Sequence, residues 1–274
     1  MNMSKRDSTE NFYEHDKIKK YLPKIDDKQL QFTAMPVTQH FGIFGSTGAG
    51  KSNMFLNYLK RTSLPKGGTY TKILMVIKKV EPFNLLLKEV LGDTIQFYFK
   101  LEELPDISQF QDLGKKNKDL YCVVFDDFIT EKNAKNVKKI EDYLIYARSK
   151  GVTCILLSQS YFQTSVLLRK QLSFILLCGI KGKRDLKAIL NEYSMGDCDV
   201  DTLKRMYDFA KTPSYKGEPT MLKIETGTCP ANKKFSRNFL EFLDFKDFEK
   251  GKKSELESDS DDDEKLTKVT KYLK

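Results

Sequence analysis

The chain has 274 residues, 40% of them hydrophobic and 12% aromatic, enough for one large domain with appendages or two small ones and too apolar for a chain disordered throughout. Charged residues make up 31%, with a net charge of +9, and the balance is uneven. Ser254 to Glu264 hold seven acids and no base, which leaves 47 basic against 31 acidic residues, +16, on the other 263. A basic body with an acidic tail suits a polyanion-binding protein, and equally a surface whose lysines only keep it soluble. Five cysteines, no CxxC pair and two histidines, His15 and His40, exclude a disulfide framework and leave structural zinc or histidine-based catalysis almost no ligands. Cys122, Cys154 and Cys178 lie in apolar runs, as small buried hydrophobes do. No apolar run approaches the ~18 residues of a membrane span, and the first residues are charged and polar, so the sequence reads as a soluble, non-secreted, intracellular protein.

Residues 1–31 are polar with a few spaced apolar positions, as in an N-terminal extension or a short helix. From Phe32, short apolar strand candidates alternate with helical stretches. The strands are expected at 37–45, 72–79, 95–100, 120–128, 152–159 and 172–180, with another at 220–225. SNMFLNYLKR, PFNLLLKEVL, NVKKIEDYLIYARSK, RDLKAILNEYS and DTLKRMYDFAK carry helical spacing between and after them. Continuous rather than alternating apolar strands predict an α/β fold with a mostly parallel central sheet flanked by helices. One domain is expected over 32–250. The acidic run and the basic end KLTKVTKYLK then form a disordered tail at 251–274.

The first strand candidate runs into Gly45-Ser46-Thr47-Gly48-Ala49-Gly50-Lys51-Ser52 and an amphipathic helix follows. This is the whole phosphate-loop pattern G-x-x-x-x-G-K-[ST] in its proper context. Glycines let successive backbone N–H groups curl around a phosphate, and the helix aims its positive end at the same anion. Lys51 then bridges the β- and γ-phosphates of a nucleotide and Ser52 places its hydroxyl on Mg2+. Downstream, LYCVVFDDF ends an apolar strand in two carboxylates. The C-terminal end of a parallel strand meets the phosphates, so Asp126 can bind the magnesium through its water shell while Asp127 orients and deprotonates an attacking water. Two acids imply hydrolysis, and they separate the site from small-molecule kinases, which activate no water. A guanine-specific NKxD motif is absent, which leaves ATP. The next strand ends in Ser158-Gln159-Ser160, where Gln159 is either a γ-phosphate sensor or the cap of the following helix. Arg148, at the end of the preceding helix, reads on its own as a solvated cation.

GSTGAGKS, VVFDDF, ARSKGVTCILLSQSYF and LLRKQLSFILLCGIKGKRDLKAIL, in this order, resemble the FtsK/HerA superfamily of ring-forming P-loop ATPases over residues 35–195. They are most similar to the genome-packaging ATPases of large DNA viruses and virophages. The resemblance implies a RecA-like P-loop fold and ATP and Mg2+ as ligands, with Lys51 and Ser52 on nucleotide and metal, Asp126 as metal ligand, Asp127 as base and Gln159 as sensor. It offers Arg148 as an arginine finger to a neighbouring subunit. Many members carry glutamate where this chain has Asp127; a shorter acid must act from closer by or through another water. The activity implied is ATP-driven translocation of double-stranded DNA into a preformed viral capsid, by a homo-oligomeric ring that grips phosphates without sequence preference. Capsid proteins at a portal or vertex are the implied partners, and the infected host cell and the virion the implied locations. Lys181, Lys183 and Arg184 are candidates for DNA contact, for another finger or for a solvated turn. A P-loop helicase or conjugation-type coupling ATPase would share the same site, and a nucleotide-switched scaffold is a third reading.

Overall fold

The structure, a computed structural model, describes residues 15–19, 27–114, 116–128, 131, 133–194, 198–227 and 229–249. The tail expected at 251–274, and most of the extension expected at 1–31, lie outside the described residues.

The strands are β1 (Phe41–Phe44), β2 (Lys72–Val76), β3 (Ile95–Tyr98), β4 (Tyr121–Asp126), β5 (Val152–Ser158), β6 (Phe174–Leu177), β7 (Leu222–Glu225), β8 (Phe235–Arg237) and β9 (Glu241–Leu243). They form one sheet in the order β3-β2-β4-β5-β1-β6-β7-β8-β9. The six strands from β3 to β6 are parallel and β7 to β9 are antiparallel. The fold is thus an α/β P-loop NTPase fold with a mostly parallel sheet, extended at one edge by a meander.

The continuous apolar strands have the cause expected of them. All seven residues of β5 and all four of β1 and of β6 are buried, because helices cover both faces. α1 (Asp16–Lys19) and α2 (Leu30–Thr33) are single turns. α3 (Lys51–Ser63) and α4 (Pro82–Leu91) lie on one face, where Met54, Phe55, Tyr58 and Leu87 meet Ile43, Cys122, Val124 and Cys178. α5 (Ala134–Tyr146), α6 (Val166–Gln171), α7 (Lys183–Tyr193) and α8 (Val200–Lys211) cover the other face, with Ile140, Tyr143, Leu190 and Met206 against Val123, Phe125 and Cys154. Each fully buried side chain of this kind contributes about 1.5–3 kcal/mol. The helices start at fitting caps: Glu81 and Asn84 form a capping box on α4, Asn133 accepts from Lys135 on α5, and Asp199 accepts from Thr202 on α8.

β1 is shorter than the expected 37–45. Thr38 turns the chain with φ 63° and its N–H donates to the Thr153 hydroxyl, and His40 Nδ1 accepts the Cys154 N–H at 3.0 Å. There the His40 side chain accepts a backbone N–H of β5 and the Thr153 side chain accepts a backbone N–H of the segment before β1, so side chains take the place of ladder bonds that a longer β1 would have made. The meander carries a buried charge: Lys223, 2% exposed, donates to the carbonyls of Phe239 (2.6 Å) and Thr33 (3.3 Å). Burial, helped by nearby Arg61 and opposed by Glu225, pushes its ammonium down to about 8.

Candidate functional site

β1 delivers the phosphate loop to the C-terminal end of the sheet. Gly48 (φ 76°) and Gly50 (φ 87°) hold left-handed conformations, and Gly50 is the residue from which α3 starts. A Cβ at either would meet nothing within 4 Å, so the backbone geometry and not crowding requires glycine there. The first N–H groups of α3 have no acceptor within the helix and point at the loop's mouth. Lys51 Nζ donates to Gly45 O at 2.8 Å and Ser46 O at 3.4 Å, across the loop that it closes. The loop is tied to β6 and its continuation: Ser46 N–H donates to Gly179 O at 2.7 Å, and Lys181 N–H donates to Ser46 Oγ at 3.1 Å.

The two acids stand opposite. Asp126 ends β4 beside Leu157, and Asp127 has φ 57° with its N–H on Leu157 O at 3.0 Å. This left-handed residue turns the chain out of the strand, and aspartate tolerates it better than most side chains. β5 lies between β4 and β1, so Gln159, the residue directly after its end, faces both partners. Gln159 Nε2 donates to Asp127 Oδ2 at 2.7 Å, while Gln159 Oε1 accepts the Thr47 hydroxyl at 2.8 Å. One amide thus spans from the phosphate loop to the acid expected to act as base.

Thr47, Gly48, Lys51, Ser52, Asp126, Asp127 and Gln159 line one cavity of about 450 Å³ together with Lys78, Lys79 and Glu81. Burial raises the Asp126 carboxyl to about 6, the charges of Asp127 and Glu81 push the same way, and Lys51 and Lys78 oppose them. Ser52 and Asp126 are hard oxygen donors suited to magnesium. Among the described residues no group of three or more His, Cys, Asp or Glu could hold a metal ion alone, so these two fit a magnesium that keeps waters and shares a nucleotide's phosphates.

The structure does not bring Arg148 to this cavity. It sits in a 3₁₀ turn (Arg148–Lys150) at the N-terminal end of β5, a strand length of about 23 Å from Gln159. Its Nη2 donates to Gln171 O and Ser173 Oγ, both at 3.0 Å. Lys181, Lys183 and Arg184 are exposed at the same end of the sheet as the phosphate loop, at the start of α7. Sequence reasoning missed Lys78, Lys79 and Glu81. The available signal was the expected strand at 72–79: in a parallel sheet, the charged turn that ends it borders the same edge as the acids.

Residues 30–73, which include β1, the phosphate loop and α3, match the family model "Helicase HerA, central domain". The resemblance to the FtsK/HerA superfamily therefore holds in the segment that carries the loop. Among solved structures, the chain is similar to B204, the DNA-packaging ATPase from Sulfolobus Turreted Icosahedral Virus, at 14% identity over 74% of this chain and 98% of that one, with a TM-score of 0.49. The genome packaging NTPase B204 from Sulfolobus turreted icosahedral virus 2, in complex with ATP-gammaS, is 14% identical over 73% of this chain and 97% of that one, with a TM-score of 0.47. ATPases 2 and 3 of EssC from Geobacillus thermodenitrificans are 14% identical over 69% of this chain and 38% of that one, with a TM-score of 0.43. No match to the curated proteins was found.

Proposed function

We propose that this chain is an ATP-driven translocase of double-stranded DNA that packages a viral genome into a preformed capsid. The observation that carries its ATPase part is the single cavity in which the phosphate loop, two strand-end carboxylates and a glutamine bonded to both sides converge. The loop's N–H groups and Lys51 hold the β- and γ-phosphates. Asp127, oriented by Gln159, takes a proton from a water as its oxygen bonds to the γ-phosphorus, and the bond to the ADP oxygen breaks. Ser52 and Asp126 would hold a magnesium ion, which would supply positive charge to the phosphate oxygens. Because Gln159 touches both Thr47 and Asp127, it is the side chain placed to change partners when a γ-phosphate enters.

The DNA and packaging part rests on the four sequence blocks and on the +16 body. Lys181, Lys183 and Arg184 support it by their position, since the backbone of Lys181 is bonded to the phosphate loop. Such cations grip phosphates of any sequence. The proposal includes a homo-oligomeric ring, Arg148 as a finger given to a neighbour, capsid proteins as partners and an infected cell as the place of work. A finger given away must lie far from its own cavity, and Arg148 does. The domain limits 32–250 and 251–274 are part of the same reading. The match to a helicase domain over 30–73 supports a second reading, a helicase or coupling ATPase. Displacement of a third strand from a triplex tests the first: the packaging reading expects ATP-dependent displacement with the duplex left intact, and separation of the duplex strands would favour the second.

A further inference from the structure

The cavity contains a feature that neither the motifs nor the sequence blocks assign. β2 pairs with β4 in register, Val76 beside Phe125, so the two residues after Ile77 are carried level with the acids. They are Lys78 and Lys79, and both line the cavity with Asp126, Asp127, Gln159 and Thr47. The two lysines are held differently. Lys79 Nζ pairs with Glu81 at 3.1 Å, and Glu81 is itself fixed as the cap of α4. The Lys78 ammonium lies over the ring of Phe128, 5.6 Å from its centre, in the wall of the cavity that Asp126 also lines. Phe128 is buried directly after the two acids, so it aims this cation from a rigid base.

Three ammonium groups (Lys51, Lys78, Lys79) face three carboxylates (Glu81, Asp126, Asp127) around the cavity. A triphosphate brings more negative charge than one divalent cation cancels, and Lys51 stands on the loop side. We propose that Lys78 is the catalytic cation at the far side of the γ-phosphate, supplied by each subunit to its own site. The inference rests on the ATPase reading above and differs from it in needing no neighbour for that charge. Arg148, about 23 Å away along β5, cannot fill this place within its own subunit.

A cation at this place gains most when charge spreads over the transferring phosphoryl group, and removing one preorganised group of this kind from other enzymes costs about 10² to 10³ in rate. The test measures binding, in the full-length chain with magnesium, of ADP alone and of ADP with aluminium fluoride, which stands in for the transferring phosphoryl. Lys78→Ala is expected to weaken the aluminium fluoride complex about 100-fold and ADP by less than about threefold. Lys78→Arg should stay within about tenfold of the parent, and Lys79→Ala within about threefold. Lys78 is exposed, so its replacement leaves the core intact. Equal weakening of both ligands, no weakening of either, or a loss in Lys79→Ala instead would overturn the assignment while the nucleotide reading stands. Tight binding regained on mixing Lys78→Ala with Lys51→Ala would place Lys78 at a neighbour's site and overturn it too. A parent chain that binds no ADP would overturn the nucleotide reading and this inference with it.

Discussion

Replacing Asp127 by asparagine separates catalysis from binding and from folding more cleanly than any other change in this site. The residue has φ 57°, a region that asparagine enters as readily as aspartate, so the backbone is unstrained in the variant. The Gln159 bond at 2.7 Å loses its charge assistance, but it is exposed to solvent, so the folded state loses little, while the shape of the site is kept. The lost function is proton acceptance, worth about 10² to 10⁴ in rate for a positioned general base. The kcat of ATP hydrolysis should therefore fall by that factor, with ATP affinity changed by less than about threefold because the phosphate loop is untouched. Asp127→Ala should lose the same rate and, in addition, about 1 kcal/mol of stability from the left-handed backbone. That loss lowers the melting temperature by about 2–4 °C, which the asparagine variant should not show. Steady-state phosphate release at saturating ATP, nucleotide titration and thermal unfolding check the three parts. Hydrolysis by Asp127→Asn at the parental rate would refute the reasoning and put the base elsewhere.

Three further outcomes follow from the geometry. The Asp126 carboxyl is raised to about 6, so protons compete with magnesium below that pH: the magnesium-dependent part of ADP binding should weaken about tenfold per unit of acidification there and vanish in Asp126→Ala, and a flat titration would refute it. Arg148→Ala should bind ATP nearly normally, hydrolyse it poorly and regain activity when mixed with Lys51→Ala; a mixture that stays inactive although mixed rings form would assign Arg148 to its bonds with Gln171 and Ser173. The Lys223 ammonium is pushed down to about 8 from its ordinary value in the unfolded chain, about 10.4. The unfolded state then holds more protons at this group above about pH 8, so the Lys223 contribution to stability rises with pH up to about 9.5, by at most about 1.4 kcal/mol per unit, against the buried thiols of Cys122 and Cys154, which burial pushes up and which act with the opposite sign. Lys223→Met should remove this rise, and an unchanged slope in that variant would contradict it.

The parallel part of the sheet was legible because most of its strands are buried on both faces, so six apolar runs mark β1 to β6, and a seventh marks the antiparallel β7. β8 and β9 were not legible: Phe235–Arg237 and Glu241–Leu243 are three residues each, and their partners lie in the meander instead of in a local pattern. α6 was missed for a similar reason, since six residues between Ser165 and Leu172 hold less than two helical turns. Lys223 is a lysine in an apolar strand, and the carbonyls of Thr33 and Phe239 with the rings of Phe174 and Phe242, all distant in sequence, make its burial tolerable. The site divides in the same way. The phosphate loop and the paired acids are contiguous, so spacing alone exposes them. The Gln159 bridge depends on β5 lying between β4 and β1, and the Lys78 turn depends on β2 lying beside β4, which no single segment encodes.

The central claim is that ATP turnover at this cavity is coupled to duplex DNA. Phosphate release by the full-length chain and by Lys51→Ala, followed as double-stranded DNA of unrelated sequences is added at several salt concentrations, tests it most directly. Turnover by the parent should rise with any duplex, the stimulation should fall steeply with salt as counterion release requires, and Lys51→Ala should show no turnover. Equal turnover by the two proteins, or a parent whose hydrolysis ignores DNA at every salt concentration, would contradict it.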